Sequence, residues 1–474
     1  MSYDIILVYP ETGEKGRRKA LMPPYSILSL PSFLRDEYRV FLYDQRVQAK
    51  EELEEVVRAS NPVLVGFSTM SGVQIDNALK IAREIRQVLP NVPFVWGGVH
   101  PSILPEQTIL HSLVDIIVRG EGEKKLAQLT HALKYHKDLT IVPGITFKED
   151  GKVFSTRDGS FMTNLDDVNY AWDLLPPEKY IYEWKGKRIF ALLTARGCPF
   201  RCTFCSNPVI WKRRWRGWSA ERVIKEIEWL NRKCKLDVIF CCDDYFLSKS
   251  SRAQQITEKI KTLGLGWTTG GVRANQVTED LVNFLKKNNC LELYVGAESG
   301  SQRVLNTMKK DIRVSHIIKT AELCRQFKIP LSFSWVFGTP GETKDDVLLT
   351  LDLIDKLSSI TDCGHMPNLY CPSPGTEMFK LAIDSGYRAP TSFEKWGKAK
   401  FEYHVGVKAP YLAKSANWYR AVYLSVYFVR YKRYGRSVAY QSPLTGLIKS
   451  IEKFRWEHRF FSLPIDGYLL KYIR

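Results

Sequence analysis

Three cysteines in the run Cys198-Pro199-Phe200-Arg201-Cys202-Thr203-Phe204-Cys205 constrain this 474-residue chain more than any other feature. The C-x3-C-x2-C spacing sets three thiolates on one short loop. They are close enough to hold three irons of a cubane iron–sulfur cluster and leave the fourth iron without a protein ligand. The loop follows an apolar, strand-like run (Ile189 to Leu193) and precedes a helix-like one (Ala220 to Leu230), which is where α/β folds put their active sites. A structural zinc site would call for four Cys or His ligands, usually in paired C-x2-C knuckles, and no fourth ligand stands nearby.

On either side of this loop, apolar runs of strand length alternate with amphipathic helix patterns. Before it, the strand candidates are Ile5–Tyr9, Val40–Tyr43, Val63–Phe67, Pro93–Gly97 and Asp115–Arg119. They are followed in turn by helix patterns at Tyr25–Leu34, Glu51–Ser60, Gln74–Val88, Ile109–Leu113 and Glu123–Leu133. Such alternation predicts an α/β fold with a mostly parallel, doubly wound sheet over residues 1–135, with ligands at the carboxyl ends of the strands. Residues 136–185 read as a linker, with a turn signal Glu149-Asp150-Gly151 that predicts a hairpin. The alternation restarts over 186–400 with Ile189–Leu193, Val238–Cys241, Trp267–Thr269, Glu292–Val295, Leu331–Phe337 and Asn368–Cys371. It is lost over 401–474, which reads as mainly helical, basic and aromatic.

The hydrophobic fraction of 45% and the charged fraction of 25% are those of a globular protein of several domains. Ten cysteines scattered over this length form no disulfide framework, and together with a first strand in place of a signal peptide they predict a reducing, cytoplasmic compartment. No apolar run approaches the roughly 18 residues needed to span a bilayer. Half of the net charge of +18 lies between Leu412 and Arg474, which carries +9 and interleaves Trp418, Tyr419, Tyr423, Tyr427, Phe428, Tyr431 and Tyr434. That segment suits an anionic membrane surface, an acidic partner or a nucleic acid, and equally a helical cap with a solvated basic face.

The cysteine run resembles the signature of the radical S-adenosylmethionine (radical SAM) superfamily, which has this spacing and an aromatic residue before the last cysteine, here Phe204. The resemblance extends along the chain. Asp243-Asp244 closes the second strand of the 186–400 segment, Arg273 follows Gly270-Gly271-Val272, and Gly296-Ala297-Glu298-Ser299-Gly300-Ser301 matches a G-x-E-S-G-S element. Gly338-Thr339-Pro340-Gly341-Glu342-Thr343 and Pro372-Ser373-Pro374-Gly375-Thr376 match the turns after the fifth and sixth strands. The resemblance implies a partial (β/α)6 barrel, a [4Fe–4S] cluster on Cys198, Cys202 and Cys205, and a SAM site. That site draws on Phe204, Asp244 in preference to Asp243, Arg273, Glu298, Ser299, Gly338, Gly341 and Pro374. It also implies an external low-potential electron donor, whose electron splits SAM to methionine and a 5′-deoxyadenosyl radical.

The N-terminal α/β domain resembles the cobalamin-binding domain that precedes the barrel in one large radical SAM group. Gly66-Phe67-Ser68-Thr69-Met70, Gly97-Gly98-Val99-His100-Pro101 and Arg119-Gly120-Glu121-Gly122-Glu123 carry the likeness. It implies cobalamin contacts from Ser68, Thr69, Met70, Gly97, Gly98, Val99 and Glu121. The D-x-H-x-x-G motif that gives cobalt a histidine in other cobalamin proteins is missing, since Asp44-Gln45-Arg46-Val47 stands after the second strand.

The combined resemblance implies a cobalamin-dependent C-methyltransferase that moves a methyl group by way of methylcobalamin to an unactivated carbon. The acceptor expected first is a protein or peptide side chain, such as a glutamine of methyl-coenzyme M reductase. A cobalamin-dependent oxidase or cyclase, or a lipid-tailoring enzyme, is the alternative within enzymes. From another class stand an iron–sulfur redox sensor and a nucleic-acid-binding protein, although neither needs Glu298 or the Gly338–Glu342 turn, and no obligate nucleic-acid partner is expected.

Overall fold

The computed structural model of the protein describes residues 2–13, 21–184, 186–399, 416–430 and 443–462. Strands β1 (Ile5–Tyr9), β2 (Val40–Asp44), β3 (Leu64–Ser68), β4 (Phe94–Gly97) and β5 (Ile116–Val118) lie parallel in the order β2-β1-β3-β4-β5. These strands are buried on both faces, which is why they read as unbroken apolar runs. Helix Val73–Val88 covers one face through Ile75, Ala78, Leu79, Ala82 and Ile85, a helical spacing that puts all five on one side. One expected helix is displaced. In place of Ile109–Leu113, two short helices occupy Val99–Ile103 and Pro105–Ile109, because Pro105 suits a helix start and divides the segment there.

The segment expected as a linker does hold a hairpin, β6 (Ile145–Glu149) and β7 (Lys152–Ser155), turned at Asp150-Gly151. β6 pairs antiparallel with β5, so the hairpin completes the seven-stranded first sheet and that sheet runs past residue 135.

The second α/β unit begins with β8 (Tyr182–Trp184), an antiparallel edge on β9 (Lys187–Leu192). A small ladder, β10 (Ala195–Arg196) with β11 (Arg216–Gly217), closes the loop that carries the cysteines. Then come β12 (Val238–Cys241), β13 (Gly266–Thr269), β14 (Val272–Arg273), β15 (Leu293–Glu298), β16 (Leu331–Phe337) and β17 (Cys363–Leu369). The sheets β13-β12-β9-β8 and β14-β15-β16-β17 are parallel apart from β8, and they part at Gly270-Gly271. A lone bridge from Trp267 to Cys290 spans the gap, giving the arc of a partial (β/α)6 barrel. The sixth strand lies earlier than the expected Asn368–Cys371, since Gly364, His365 and Pro367 interrupt its apolar pattern. Pro367 is tolerated there because β17 is an edge strand.

The two units share one core. Tyr25 donates its hydroxyl to the carbonyl of Ala191 at 2.6 Å and packs on Tyr170, beside Trp172. After the barrel, helix Phe393–Lys398 returns to the first unit and lies on helix Val73–Val88, with Phe393 and Trp396 against Trp96 and His100. Helices Ala416–Ser425 and Pro443–His458 pack near β17, where Tyr419 and Tyr423 are buried and Asp355 receives Arg430, Trp456 and Arg459. The rest of the basic tail, with Tyr431 and Tyr434, lies outside the described residues. Among the described residues no helix is long and apolar enough to cross a membrane.

Candidate active site

The cysteine loop is held from three sides. At its start, Asp243 is buried and accepts from the Thr194 amide (2.5 Å), the Ala195 amide (2.9 Å) and the Thr194 hydroxyl (2.6 Å), and burial pushes its carboxyl up to about 6. Asp243 is therefore a scaffold for the loop. Its neighbour Asp244 is exposed and accepts from the Gly197 amide and the Asn207 side chain, both at 3.0 Å. On the far side, Thr203 donates from its amide to Met308 O (2.9 Å) and from its hydroxyl to Thr307 O (3.0 Å), and its own carbonyl accepts from the Met378 amide. Asn207 points its amide and side-chain N–H groups at Cys205 Sγ, each at 3.5 Å.

Within this frame Cys198, Cys202 and Cys205 are free thiols, partly accessible. Burial pushes the Cys198 thiol up to about 11 and raises Cys202 and Cys205 as well, so metal must replace the thiol protons for the thiolates to persist. Among the described residues no trio of His, Cys, Asp or Glu closes round a single ion. Three partly accessible thiols on one short loop suit a cluster of several irons, each thiolate taking one iron.

Opposite the loop, Arg273 ends β14 with a side chain 5% exposed. None of its guanidinium nitrogens has a hydrogen-bond partner among the described residues. It lies 4.0 Å over the Phe200 ring, and Asp311 is 4.0 Å from its Nη2. A buried arginine without a bonded partner is costly unless a ligand completes it, and a carboxylate such as that of SAM matches its planar fork. Glu298, at the end of β15, is buried and faces Lys310 and Ser334. Gly338 and Gly341 both take φ 79° in the turn after β16, and Pro374 is buried in the turn after β17. Phe204 is half-buried beside Cys205.

Glu342 closes the Gly338 turn on itself, its carboxylate accepting from the Gly338 amide at 2.5 Å. Burial pushes its carboxyl up to about 8. Since the folded value exceeds the unfolded one near 4.5, stability is lost as pH rises between about 4.5 and 8. Glu342→Gln is expected to flatten that slope, by up to roughly 5 kcal/mol across the window at 1.36 kcal/mol per unit. Denaturant midpoints of both proteins from pH 5 to pH 8.5 check it, and parallel curves would contradict it.

On the first sheet, Ser68, Thr69, Gly97 and Gly98 meet at the carboxyl ends of β3 and β4. Thr69 donates its amide to Gly97 O at 3.0 Å, Ser68 donates to Ser26 at 2.8 Å, and the buried Thr69 hydroxyl has no hydrogen-bond partner among the described residues. Gly98 has φ 92°, and a Cβ there would stand 2.7 Å from Thr69 O and 2.8 Å from Thr69 N. Met70 is 44% exposed, and Val99 opens the short helix that packs on helix Asn207–Trp211 just after the cysteines. This edge therefore faces the cysteine loop, and the orphan hydroxyl and open residues fit a ligand tail. Gly98→Ala is expected to cost roughly 1–3 kcal/mol for the left-handed backbone alone and to lower retained cobalamin. Denaturant midpoints and the visible cobalamin absorption report both.

Two expectations are corrected. Glu121 is not open to a ligand. Its carboxylate takes Arg196 (2.9 Å), Arg216 (2.8 Å) and the Met162 amide (2.8 Å), while Glu123 takes Arg196 at 2.6 Å, a buried ionic lock between the two units. Ser299 is fully buried, bonded to Thr350 and to the Ser301 amide, and serves the turn after β15 instead of SAM. The Asp44-Gln45-Arg46 segment is closed on itself, with Arg46 2.6 Å and the Tyr180 hydroxyl 2.9 Å from Asp44. His100, the histidine nearest this edge, is buried against Phe393 and Trp396, bonds Ser71 at 2.8 Å, and is pushed down to about 4 by burial. Sequence reasoning missed Lys310, Asn207 and Asp311, all placed round the cysteine loop.

A doubly wound sheet edge set over a three-cysteine barrel loop is an arrangement that can hold two cofactor sites side by side. The family model described as the B12 binding domain matches residues 15–130, and that of the Radical SAM superfamily matches 192–354. The chain is 30% identical over 83% of its length to an uncharacterised methyltransferase of Pyrococcus horikoshii, covering 86% of that protein. It is 28% identical to the anaerobic magnesium-protoporphyrin IX monomethyl ester cyclase of Synechocystis, over 70% of this chain and 68% of the cyclase. The fold matches the radical SAM methyltransferase TsrM of Kitasatospora setae, solved with cobalamin and a [4Fe–4S] cluster, with a TM-score of 0.65 at 20% identity over 81% of this chain and 75% of that one. The chain belongs to the cobalamin-dependent radical SAM methyltransferase family. Its cofactors are a [4Fe–4S] cluster, SAM and cobalamin.

Proposed function

We propose that the protein methylates an unactivated carbon, drawing the methyl group from cobalamin and opening the C–H bond with a SAM-derived radical. The observation that carries this reading is the packing of the first sheet's carboxyl edge, through helix Val99–Ile103, on the helix that follows Cys205. In this reading that packing would set the methyl-carrying and radical-forming sites at one interface. When bound, the three cofactors supply reductive cleavage of SAM, hydrogen abstraction and the methyl group.

The chain's own residues hold and orient. Cys198, Cys202 and Cys205 would ligate three irons, and Arg273 would pair with the SAM carboxylate. Asp244, tied to both ends of the cysteine loop, and Glu298 would bound the same site, with Phe204, Gly338, Gly341 and Pro374 as its walls. Ser68, Thr69, Gly97 and Gly98 would line the cobalamin tail, with Met70 and Val99 at its solvent side. The acceptor class to test first is a protein or peptide side chain, because a net charge of +18 suits an acceptor borne on a large or anionic molecule. The same surplus would favour an acidic electron donor.

The test is anaerobic turnover of the reduced, reconstituted enzyme with SAM and candidate peptides. Carbon methylation consumes SAM in two ways, so both 5′-deoxyadenosine and S-adenosylhomocysteine should accumulate with methylated product. 5′-Deoxyadenosine with an oxidised substrate and no S-adenosylhomocysteine would instead favour a cyclase-like reaction, the reading that the Synechocystis likeness supports. Absence of both coproducts would sink the proposal.

A further inference from the structure

The loop between helix Gln302–Thr307 and helix Val314–Phe327 takes a backbone path with no glycine to ease it. Lys309 (φ 46°) and Asp311 (φ 54°) both occupy the left-handed region, a placement that non-glycine residues adopt only where their surroundings over-determine it. The result is that Lys310, between them, turns inward with its side chain 9% exposed and its Nζ 2.5 Å from Glu298 Oε1. Glu298 is itself left-handed, at φ 63°, where the register between β15 and β16 shifts. Gly296 makes room for the pair, since a Cβ there would stand 2.5 Å from Glu298 Oε1 and 2.7 Å from Lys310 Nζ. Three left-handed positions thus converge on a single buried ion pair, beside which Gly296 leaves room.

That pair stands beside the cysteines. Lys310 Nζ is 5.8 Å from the centre of the Phe204 ring, and the same loop receives both Thr203 hydrogen bonds through the Met308 and Thr307 carbonyls. A buried ion pair is rarely the most stable filling for such a space, because apolar residues avoid its desolvation cost. Fold stability therefore gives a weak reason for a lysine here.

We propose that Lys310 is a positioning residue that raises the reduction potential of the cluster on Cys198, Cys202 and Cys205 and fixes the Glu298 carboxylate on the SAM side. The inference rests on the cluster assignment made above. Reduction adds one electron from a low-potential donor and makes the cluster one unit more negative. A fixed cation nearby stabilises that state, and net charge is one of the factors that set such potentials. Burial keeps water from screening the effect, and Glu298 supplies the counter-charge that lets the ammonium remain inside.

The experiment compares anaerobically reconstituted wild type, Lys310→Met, Lys310→Gln and Lys310→Arg by iron content and by redox titration of the cluster's paramagnetic signal, with and without SAM. The two uncharged variants should load iron fully and titrate at a more negative potential, and Lys310→Arg should stay near wild type. Unchanged potential on a fully loaded Lys310→Met cluster overturns this inference alone. Iron lost from both uncharged variants but kept by Lys310→Arg would assign Lys310 to cluster retention and likewise overturn it. If wild type itself takes up no four-iron cluster, the functional reading fails together with the inference.

Discussion

Changing Cys198, Cys202 and Cys205 together to Ala should abolish both the iron–sulfur chromophore and formation of 5′-deoxyadenosine. Anaerobically reconstituted wild type should hold about four irons per cluster, the triple variant close to none. The fold should survive, because what holds the loop is elsewhere: Asp243 on the Thr194 and Ala195 amides, Thr203 on Thr307 and Met308, and Arg201 on Asp311. Loss of three partly accessible thiols removes little packing, so the circular dichroism of the variant should match wild type. Iron analysis, the charge-transfer absorption and a chromatographic assay of SAM products test these points together. Zinc in place of iron in anaerobically purified protein would refute the assignment.

Glu121→Ala should be the most damaging single change away from the cofactors. Its carboxylate is 4% exposed and neutralises Arg216 while sharing Arg196 with Glu123. Truncation leaves Arg216 without a carboxylate in a buried interface, where breaking an ion pair costs about 3–5 kcal/mol. Replacing Glu121 and Arg216 together by Met should recover much of that loss, since it removes the stranded charge as well. Denaturant midpoints of the single and double variants, with cobalamin retention measured in parallel, check both statements. A loss below about 1 kcal/mol, the range of exposed ion pairs, would show that water reaches the network.

What could be read from the sequence followed from how local the determinant is. β1 and β16 are unbroken apolar runs and fall where the pattern places them, Ile5–Tyr9 and Leu331–Phe337, whereas β17 was displaced by its own Gly364, His365 and Pro367. The cysteine spacing is legible because cluster geometry requires it within one loop. Glu121 was misassigned because the partners that occupy it, Arg196 and Arg216, are 75 and 95 residues away, and no local pattern announces them. Lys310 was passed over for a related reason. In Lys309-Lys310-Asp311-Ile312-Arg313 it looks like one more solvated charge, and only the two left-handed neighbours turn it inward.

The return of helix Phe393–Lys398 to the first sheet has a consequence for synthesis. Trp96 and His100 are made early, yet Phe393 and Trp396, which cover them, emerge some 300 residues later. At about 5–20 residues per second, the ribosome leaves that apolar face uncovered for roughly 15–60 s. The first unit to be translated is thus among the last to be finished.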